Sequence, residues 1–131
     1  MTKTKSSWIR GKGYDKRVIA FLYKTQLLFQ EVRIRGGERV PPHFHARADE
    51  HFLVFEAKPK LRFLIGRKWI SPTKGDYFAV KAKTRHAVDA SRVKTKTAAR
   101  FLVAKTNYSG DDSAWDAKLV KAQTKQEFVK T

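Results

Sequence analysis

The stretch that decides the fold is HFHARADE, residues 43–50. It places His43 and His45 two positions apart and then, after a four-residue link, a carboxylate at Glu50. If residues 43–45 are extended, both imidazoles lie on one face, because side chains two apart on a strand point the same way. A hairpin over the link returns the next strand beside the first and aims Glu50 at the same point. His86 follows after further strands, as closure of a barrel requires.

Three imidazoles and one carboxylate are suitable ligands for a divalent transition metal, and the chain has no cysteine to add a thiolate. We therefore predict one metal ion (Fe, Mn, Ni, Cu, Co or Zn) held by His43, His45, Glu50 and His86, with positions left open for water or substrate. A His-x-His pair alone is more often two polar residues on a solvated face, and the combination with Glu50 and His86 favours the metal. Asp49 replaces Glu50 if the hairpin slips by one residue.

The chain around this stretch has the pattern of short strands. Runs of β-branched and aromatic residues alternate with turn signals such as Gly36-Gly37 and Lys74-Gly75-Asp76, which favours an all-β sandwich or barrel. The predicted strands are Val18–Tyr23, Leu27–Ile34, His43–His45, Glu50–Glu56, Leu61–Ile65, Trp69–Ile70, Tyr77–Val80, His86–Asp89 and Ala98–Lys105. On a strand starting at Glu50, His51 points to the opposite face and is predicted to be a packing or surface residue.

Two segments resemble the two sequence motifs of the cupin superfamily. His43-x-His45 followed by Glu50, with Gly37 before it, is similar to the first motif, and Gly75 to His86 is similar in spacing to the second. The resemblance covers roughly residues 18–105 and implies an all-β fold, the cupin double-stranded β-helix or jelly-roll-like barrel, with the four proposed ligands inside. We expect a basic N-terminal arm over residues 1–16, the cupin barrel over 17–108, and a C-terminal tail with a short helix over 109–131.

The chain departs from the second motif at Lys81 and Lys83, which stand where that motif has proline and glycine. Glycine there supplies a positive φ, so Lys83 predicts a strained or reshaped turn before His86. If Lys81, Lys83 and Arg85 line the mouth of the site, they attract an anionic ligand towards the metal.

The net charge is +17, from 29 basic and 12 acidic residues. Residues 58–105 alone hold fourteen basic residues and two acidic ones. Such a field attracts anions, which leaves nucleic-acid association open beside a plain lysine-rich surface. The sequence shows neither an apolar run long enough to span a membrane nor a secretory leader, so we expect a cytoplasmic protein.

Three functions remain open at this point. The resemblance implies a metal-dependent enzyme of isomerase or dioxygenase type, acting on a small anionic molecule, or a sensor that binds a metal or ligand without catalysis. The charge supports a nucleic-acid-associated protein, which a steep dependence of binding on salt would reveal. Small cupins usually pair through an outer sheet, and Leu53 and Phe55 add apolar surface on the face away from Phe52 and Val54, so we expect a homodimer.

Overall fold

The computed structural model describes residues 8–22 and 24–108, which form two antiparallel β-sheets packed face to face. The six-stranded sheet has the order β1-β2-β3-β10-β5-β8, and the four-stranded sheet has the order β4-β9-β6-β7. The strands are β1 (Ile9–Arg10), β2 (Tyr14–Leu22), β3 (Leu27–Arg35), β4 (Arg39–His43), β5 (Asp49–Ala57), β6 (Arg62–Ile65), β7 (Lys68–Ile70), β8 (Tyr77–Val80), β9 (His86–Asp89) and β10 (Thr97–Thr106).

Alternation of side chains along the strands gives the larger sheet an inner and an outer face. On β5 Phe52 and Val54 are buried, whereas Leu53 and Phe55, which alternate with them, are exposed. On β10 the same period of two buries Phe101 and Val103. These inner residues pack against the second sheet and form the core, as two stacked sheets require.

An aromatic cluster fills the space between the sheets next to His86. Phe52, Phe63 and Phe101 are buried, with the Phe52 and Phe63 ring centroids 5.0 Å apart. The Phe63 ring lies parallel to the His86 imidazole, with centroids 6.4 Å apart and an interplanar angle of 4°. The cluster gives His86 a rigid apolar support on β9.

Two glycines that open the motif-like segments adopt backbone angles that other residues avoid. Gly37 has a φ of 81° and Gly75 a φ of 90°, both in the region that favours glycine. Gly75 also donates its N–H to the carbonyl of Val54 at 2.8 Å, which ties the turn before β8 to β5.

The all-β prediction is confirmed, and the predicted strands differ from the observed ones mainly at their ends. One difference concerns the start of the barrel. We expected residues 1–16 to form an arm, but Ile9–Arg10 and the beginning of β2 belong to the six-stranded sheet, where Lys16 pairs with Ile9 and with Val32 on β3. The sheet therefore begins before residue 17, where we expected the barrel to start.

The division of the chain into three segments otherwise stays a prediction. The tail over residues 109–131, including its expected helix, lies outside the described residues. Within the described part, no helix is long and apolar enough to cross a membrane.

Candidate metal centre

Three strands and one connection bring the predicted ligands together. His43 ends β4, Glu50 is the second residue of β5, and His86 begins β9, where it pairs directly with His43. His45 was expected on the same strand as His43, but β4 stops at His43 and His45 lies in the link that follows. Its imidazole nevertheless reaches the site from the link. The prediction that His45 lies beside His43 is therefore correct, although the strand alternation on which it was based does not extend to His45.

The three imidazoles form a compact cluster at one end of the space between the sheets. One ring nitrogen of each of His43, His45 and His86 can be chosen so that all three lie within 4.8 Å of one another. Glu50 Oε1 lies 3.0 Å from His45 Nε2 and 3.0 Å from His86 Nε2. The histidine cluster could therefore hold a metal ion, with the carboxylate beside it.

The contacts of Glu50 fit metal ligation better than a hydrogen-bonded ion pair. Despite the short distances, Oε1 of Glu50 is buried and neither ring gives it a well-aligned hydrogen bond. Two ligand atoms each about 2.1 Å from an ion and at a right angle to each other are about 3.0 Å apart. The two measured distances of 3.0 Å match neighbouring positions around one ion.

Backbone carbonyls fix the tautomers of two of the histidines. His43 Nδ1 lies 2.8 Å from the carbonyl oxygen of Pro41, and His86 Nδ1 lies 3.1 Å from that of Thr84. A carbonyl only accepts, so Nδ1 carries the proton in both rings and Nε2 presents its lone pair. This is the arrangement that orients histidine ligands in metal sites.

The electrostatics hold the ligands in the forms that bind metal. Burial by itself raises the pKa of Glu50, but the positive charge of Lys105 acts in the opposite direction, and the pKa lies well below its usual range. His43 lies at the edge of the space between the two sheets and is open to solvent on one side. Burial of its inner side, followed by the neighbouring His86, lowers the pKa of His43 to about 4. At neutral pH the site therefore offers a carboxylate and an unprotonated His43.

The structure settles the roles of the two residues that flank Glu50. Asp49 accepts a hydrogen bond of 2.7 Å from the backbone N–H of Ala82, so it anchors the turn before β9 and does not join the imidazoles. His51 lies on the outer face, with Nδ1 2.6 Å from the hydroxyl of Tyr77 on β8. The hairpin register is therefore the one that directs Glu50 inwards.

A cavity of about 390 Å³ opens from the histidine cluster between the sheets. Its wall is largely apolar and includes Phe44, Phe52 and Phe101. Its charged residues, apart from Glu50, are Lys12, Lys16 and Lys105. Glu50 is the one acidic side chain among the described residues that line it.

The lysines that line the cavity differ from those expected from the sequence. Lys81, Lys83 and Arg85 are exposed and do not line the cavity. The turn that carries them folds against the outside of the link after β4, where the N–H of Lys83 donates to the carbonyl of His45 at 2.7 Å. Steering of an anion by these three residues stays a prediction, acting from outside the cavity.

Solved structures with the same arrangement of strands are numerous. KdgF from Halomonas sp. matches with a TM-score of 0.66 at 18% identity, over 80% of this chain and 89% of that one. An RmlC-like cupin from Shewanella frigidimarina matches with a TM-score of 0.67 at 16% identity, over 83% of this chain and 90% of that one. The chain has the cupin fold.

A variant of Pac13 from Streptomyces, with uridine, also matches, with a TM-score of 0.65 at 16% identity over 86% of this chain and 88% of that one. Pac13 is described as a nucleoside dehydratase. At these identities the likeness concerns the fold. A scan of the sequence against protein-family models found no match, and a search of curated proteins found no significant match.

Proposed function

We propose that this protein is a metal-binding cupin that binds or acts on a small anionic molecule at a mononuclear centre formed by His43, His45, Glu50 and His86. The observation that carries the proposal is the convergence of three imidazoles and a buried carboxylate, with two contacts of 3.0 Å, at one end of a cavity. Imidazole and carboxylate ligands accept Fe, Mn, Ni, Cu, Co or Zn.

The chain supplies a rigid and partly dry setting for the ion. Glu50 and His86 are buried, His45 is nearly so, and the parallel Phe63 ring supports His86. His43 lies at the open side, where a ligand molecule enters. A divalent ion held there acts as a Lewis acid towards a carbonyl or carboxylate oxygen of that molecule.

The charge of the cavity supports an anionic ligand. Three lysines line the wall against one carboxylate, and a divalent ion adds two positive charges. A positive, largely apolar cavity favours entry of an anion because water there screens charge less than bulk solvent does. The overall charge of +17 adds attraction from a distance.

The first test is the metal content of protein purified without a histidine tag, measured by mass spectrometry. We expect about one ion per chain in the wild type and loss of most of it in His45→Ala, because removal of one of four ligands weakens binding severely. His51→Ala is the matched control, since His51 lies on the outer face and should keep the wild-type metal content.

The outcomes separate a metal centre from a structural cluster. If neither purified nor reloaded wild type binds a divalent ion at neutral pH, the histidines and Glu50 form a polar cluster without a metal, and the proposal is wrong. Equal losses in His45→Ala and His51→Ala would show binding that does not depend on the site. Turnover of small carboxylates or phosphates by the loaded protein then divides an enzyme from a sensor that only binds.

A further inference from the structure

Five cations at one end of the molecule have no ion-pair partner among the described residues. They lie at the hairpin between β6 and β7 and on the turn before β9, and all are exposed: Arg67, Lys68, Lys81, Lys83 and Arg85. Five arginines on the strands, by contrast, pair with carboxylates: Arg17, Arg35, Arg39, Arg62 and Arg100. The positive charge at the two turns is therefore available to an external anion.

Backbone contacts join the two basic turns and the link after β4 into one continuous surface. β9 lies between β4 and β6 in the smaller sheet, so the turn that precedes it has a neighbour on each side. On one side the N–H of Gly66 donates to the carbonyl of Arg85 at 2.8 Å. On the other side the N–H of Lys83 donates to the carbonyl of His45 at 2.7 Å. The cations therefore share one end of the barrel, outside the histidine cluster.

Two exposed aromatic side chains lie within this surface. Phe44, in the link that Lys83 contacts, is 60% exposed, and Trp69, directly after Lys68, is 42% exposed. The Arg62 guanidinium lies 4.7 Å from the centroid of the Trp69 ring, which holds that ring in place. One exposed ring needs no explanation, but two rings among unpaired cations form a patch that is both apolar and positive. We call the two rings and the five cations the basic end surface.

The two properties of this patch fit a polymer that carries phosphates and unstacked bases. Cations attract the phosphates of a single strand, and aromatic rings stack on its bases, whereas a duplex hides the faces of its bases. Phe44 lines the cavity, but Trp69 faces outwards because its neighbour Ile70 packs against the core. A flexible chain reaches both rings, which favours it over a flat anionic bilayer.

We propose that the basic end surface binds single-stranded nucleic acid, with phosphates at the five cations and bases on Phe44 and Trp69. The inference goes beyond the proposed function and does not depend on a metal at the histidine cluster. Single-stranded DNA and RNA share the chemistry that is recognised, a phosphate backbone with exposed bases. The net charge of +17 adds attraction at long range.

The test measures the fluorescence anisotropy of labelled thymidine and uridine oligomers of about 15 nucleotides at several salt concentrations. Lys81→Gln/Lys83→Gln/Arg85→Gln should weaken binding about tenfold at about 0.1 M salt, because three phosphate contacts are lost. The slope of log affinity against log salt concentration should become shallower by about 2, since each contact to a single strand contributes about 0.7. The oligomer that binds more tightly distinguishes DNA from RNA.

The matched control is Arg92→Gln/Lys94→Gln/Lys96→Gln, in the loop between β9 and β10. β9 begins at His86 in the histidine cluster, so the loop that follows it lies at the opposite end of the strand. The control removes the same charge at the same spacing from exposed residues, and its loop contains no aromatic residue. Its affinity should stay within about twofold of the wild type, because salt screens charges more than about 10 Å away.

Trp69→Leu tests the stacking of bases separately from the charge. It should weaken binding about tenfold without changing the salt slope, because stacking releases no counterions. Phe55→Leu, on the outer face of the six-stranded sheet, is its control and should bind as the wild type does. Thermal denaturation verifies that each variant is folded, and Arg67→Gln/Lys68→Gln replaces the triple variant before β9 if that variant does not fold.

The outcomes separate a single-strand site from general attraction of anions. Weaker binding in the charge variant and in Trp69→Leu, but not in their controls, supports the inference. It is overturned if neither oligomer binds, if both triple variants lose affinity equally, or if Trp69→Leu binds as the wild type does. Inorganic polyphosphate has no bases, so competition as strong as that of the oligomers would also refute it. Tighter binding to vesicles that contain phosphatidylserine would assign the surface to a membrane instead.

Discussion

At the scale of single residues, Lys83 connects the backbone before His86 with the backbone at His45. It has a φ of 66°, the left-handed region that costs a residue with a side chain about 1–2 kcal/mol relative to the right-handed one. It nevertheless donates its N–H to the carbonyl of His45 at 2.7 Å. The strain predicted from a lysine at a glycine position is therefore present, and it occurs at a contact that joins the segments of His45 and His86.

We expect Lys83→Gly to raise the free energy of unfolding by about 1 kcal/mol, because glycine adopts this φ without strain and keeps the N–H. Urea denaturation measures the change. Lys81→Gly is the control in the same segment, where φ is not positive. It should lower the free energy of unfolding by about 0.5–1 kcal/mol through greater freedom of the unfolded chain. If both variants shift stability in the same direction, the strain at residue 83 is not released by glycine.

The burial of Lys16 and Lys105 was not predicted from the sequence. Lys105 follows Phe101 and Val103 at intervals of two, and Lys16 precedes Val18 by two, so alternation assigned both to an inner face. We instead expected Lys16 in the basic arm over residues 1–16 and counted Lys105 with the basic charge of residues 58–105, because charged residues are mostly exposed. A lysine at an inward position of an otherwise apolar alternation was the available signal.

At the scale of elements, Asp89 at the end of β9 joins three strands of the smaller sheet. It pairs in register with Arg39 on β4 and Arg62 on β6, and its carboxylate lies 3.4 Å and 3.2 Å from their guanidinium groups. It also accepts hydrogen bonds from the backbone N–H and the hydroxyl of Ser91. The hydrogen bonds from Ser91, together with Arg62 and Arg39, outweigh burial and lower the pKa of Asp89 to about 2.

A pKa below the ordinary value of 3.8 means that the ionised carboxylate stabilises the fold above about pH 4. This stability is lost as the pH falls from 4 towards 2, because the folded protein must then accept a proton that the unfolded chain already holds. We expect urea denaturation at pH 5 and pH 2.5 to show a loss in wild type that exceeds the loss in Asp89→Asn by about 1 kcal/mol. Equal losses in the two proteins would contradict this role of Asp89.

Elements were predicted well where side-chain alternation is strong and poorly at their ends. Tyr77–Val80 and His86–Asp89 agree with the observed β8 and β9 because turn residues bound them on both sides. β2 begins at Tyr14, before the predicted Val18, since the polar residues Asp15 and Arg17 conceal a strand whose outer face is charged. The spacing of the motif-like segments predicted four side chains that the structure brings close together. Which lysines reach the cavity depends on tertiary packing that spacing does not encode.

At the scale of the whole molecule, the outer face of the six-stranded sheet combines apolar and basic side chains. Leu53 and Phe55 on β5 are each 38% exposed, and Tyr77 on the neighbouring edge strand β8 is 62% exposed. Arg100 on β10 lies 6.0 Å from the centroid of the Phe55 ring. Exposed apolar groups gathered on one sheet face support the predicted homodimer, which remains a prediction, as does nucleic-acid binding by the basic surface.

We expect light scattering to give the wild type about twice the chain mass of 15.1 kDa and to give Leu53→Lys/Phe55→Lys the mass of a monomer. Two further cations beside Arg100 would repel a second copy and bury poorly. Trp69→Lys, which alters an exposed apolar residue on the other sheet, is the control and should leave the mass of the assembly unchanged. A monomeric wild type would count against the dimer.

The prolines of β4 affect how the molecule meets its neighbours in a concentrated solution. β4 is an edge strand, and Pro41 and Pro42 lie within it. Successive N–H groups of a strand point to opposite sides, so one of these prolines leaves the outward side without a donor. A strand from another molecule could not form a continuous ladder of backbone hydrogen bonds along this edge. The edge beside the cavity mouth is thereby protected against the sheet-to-sheet addition that begins aggregation.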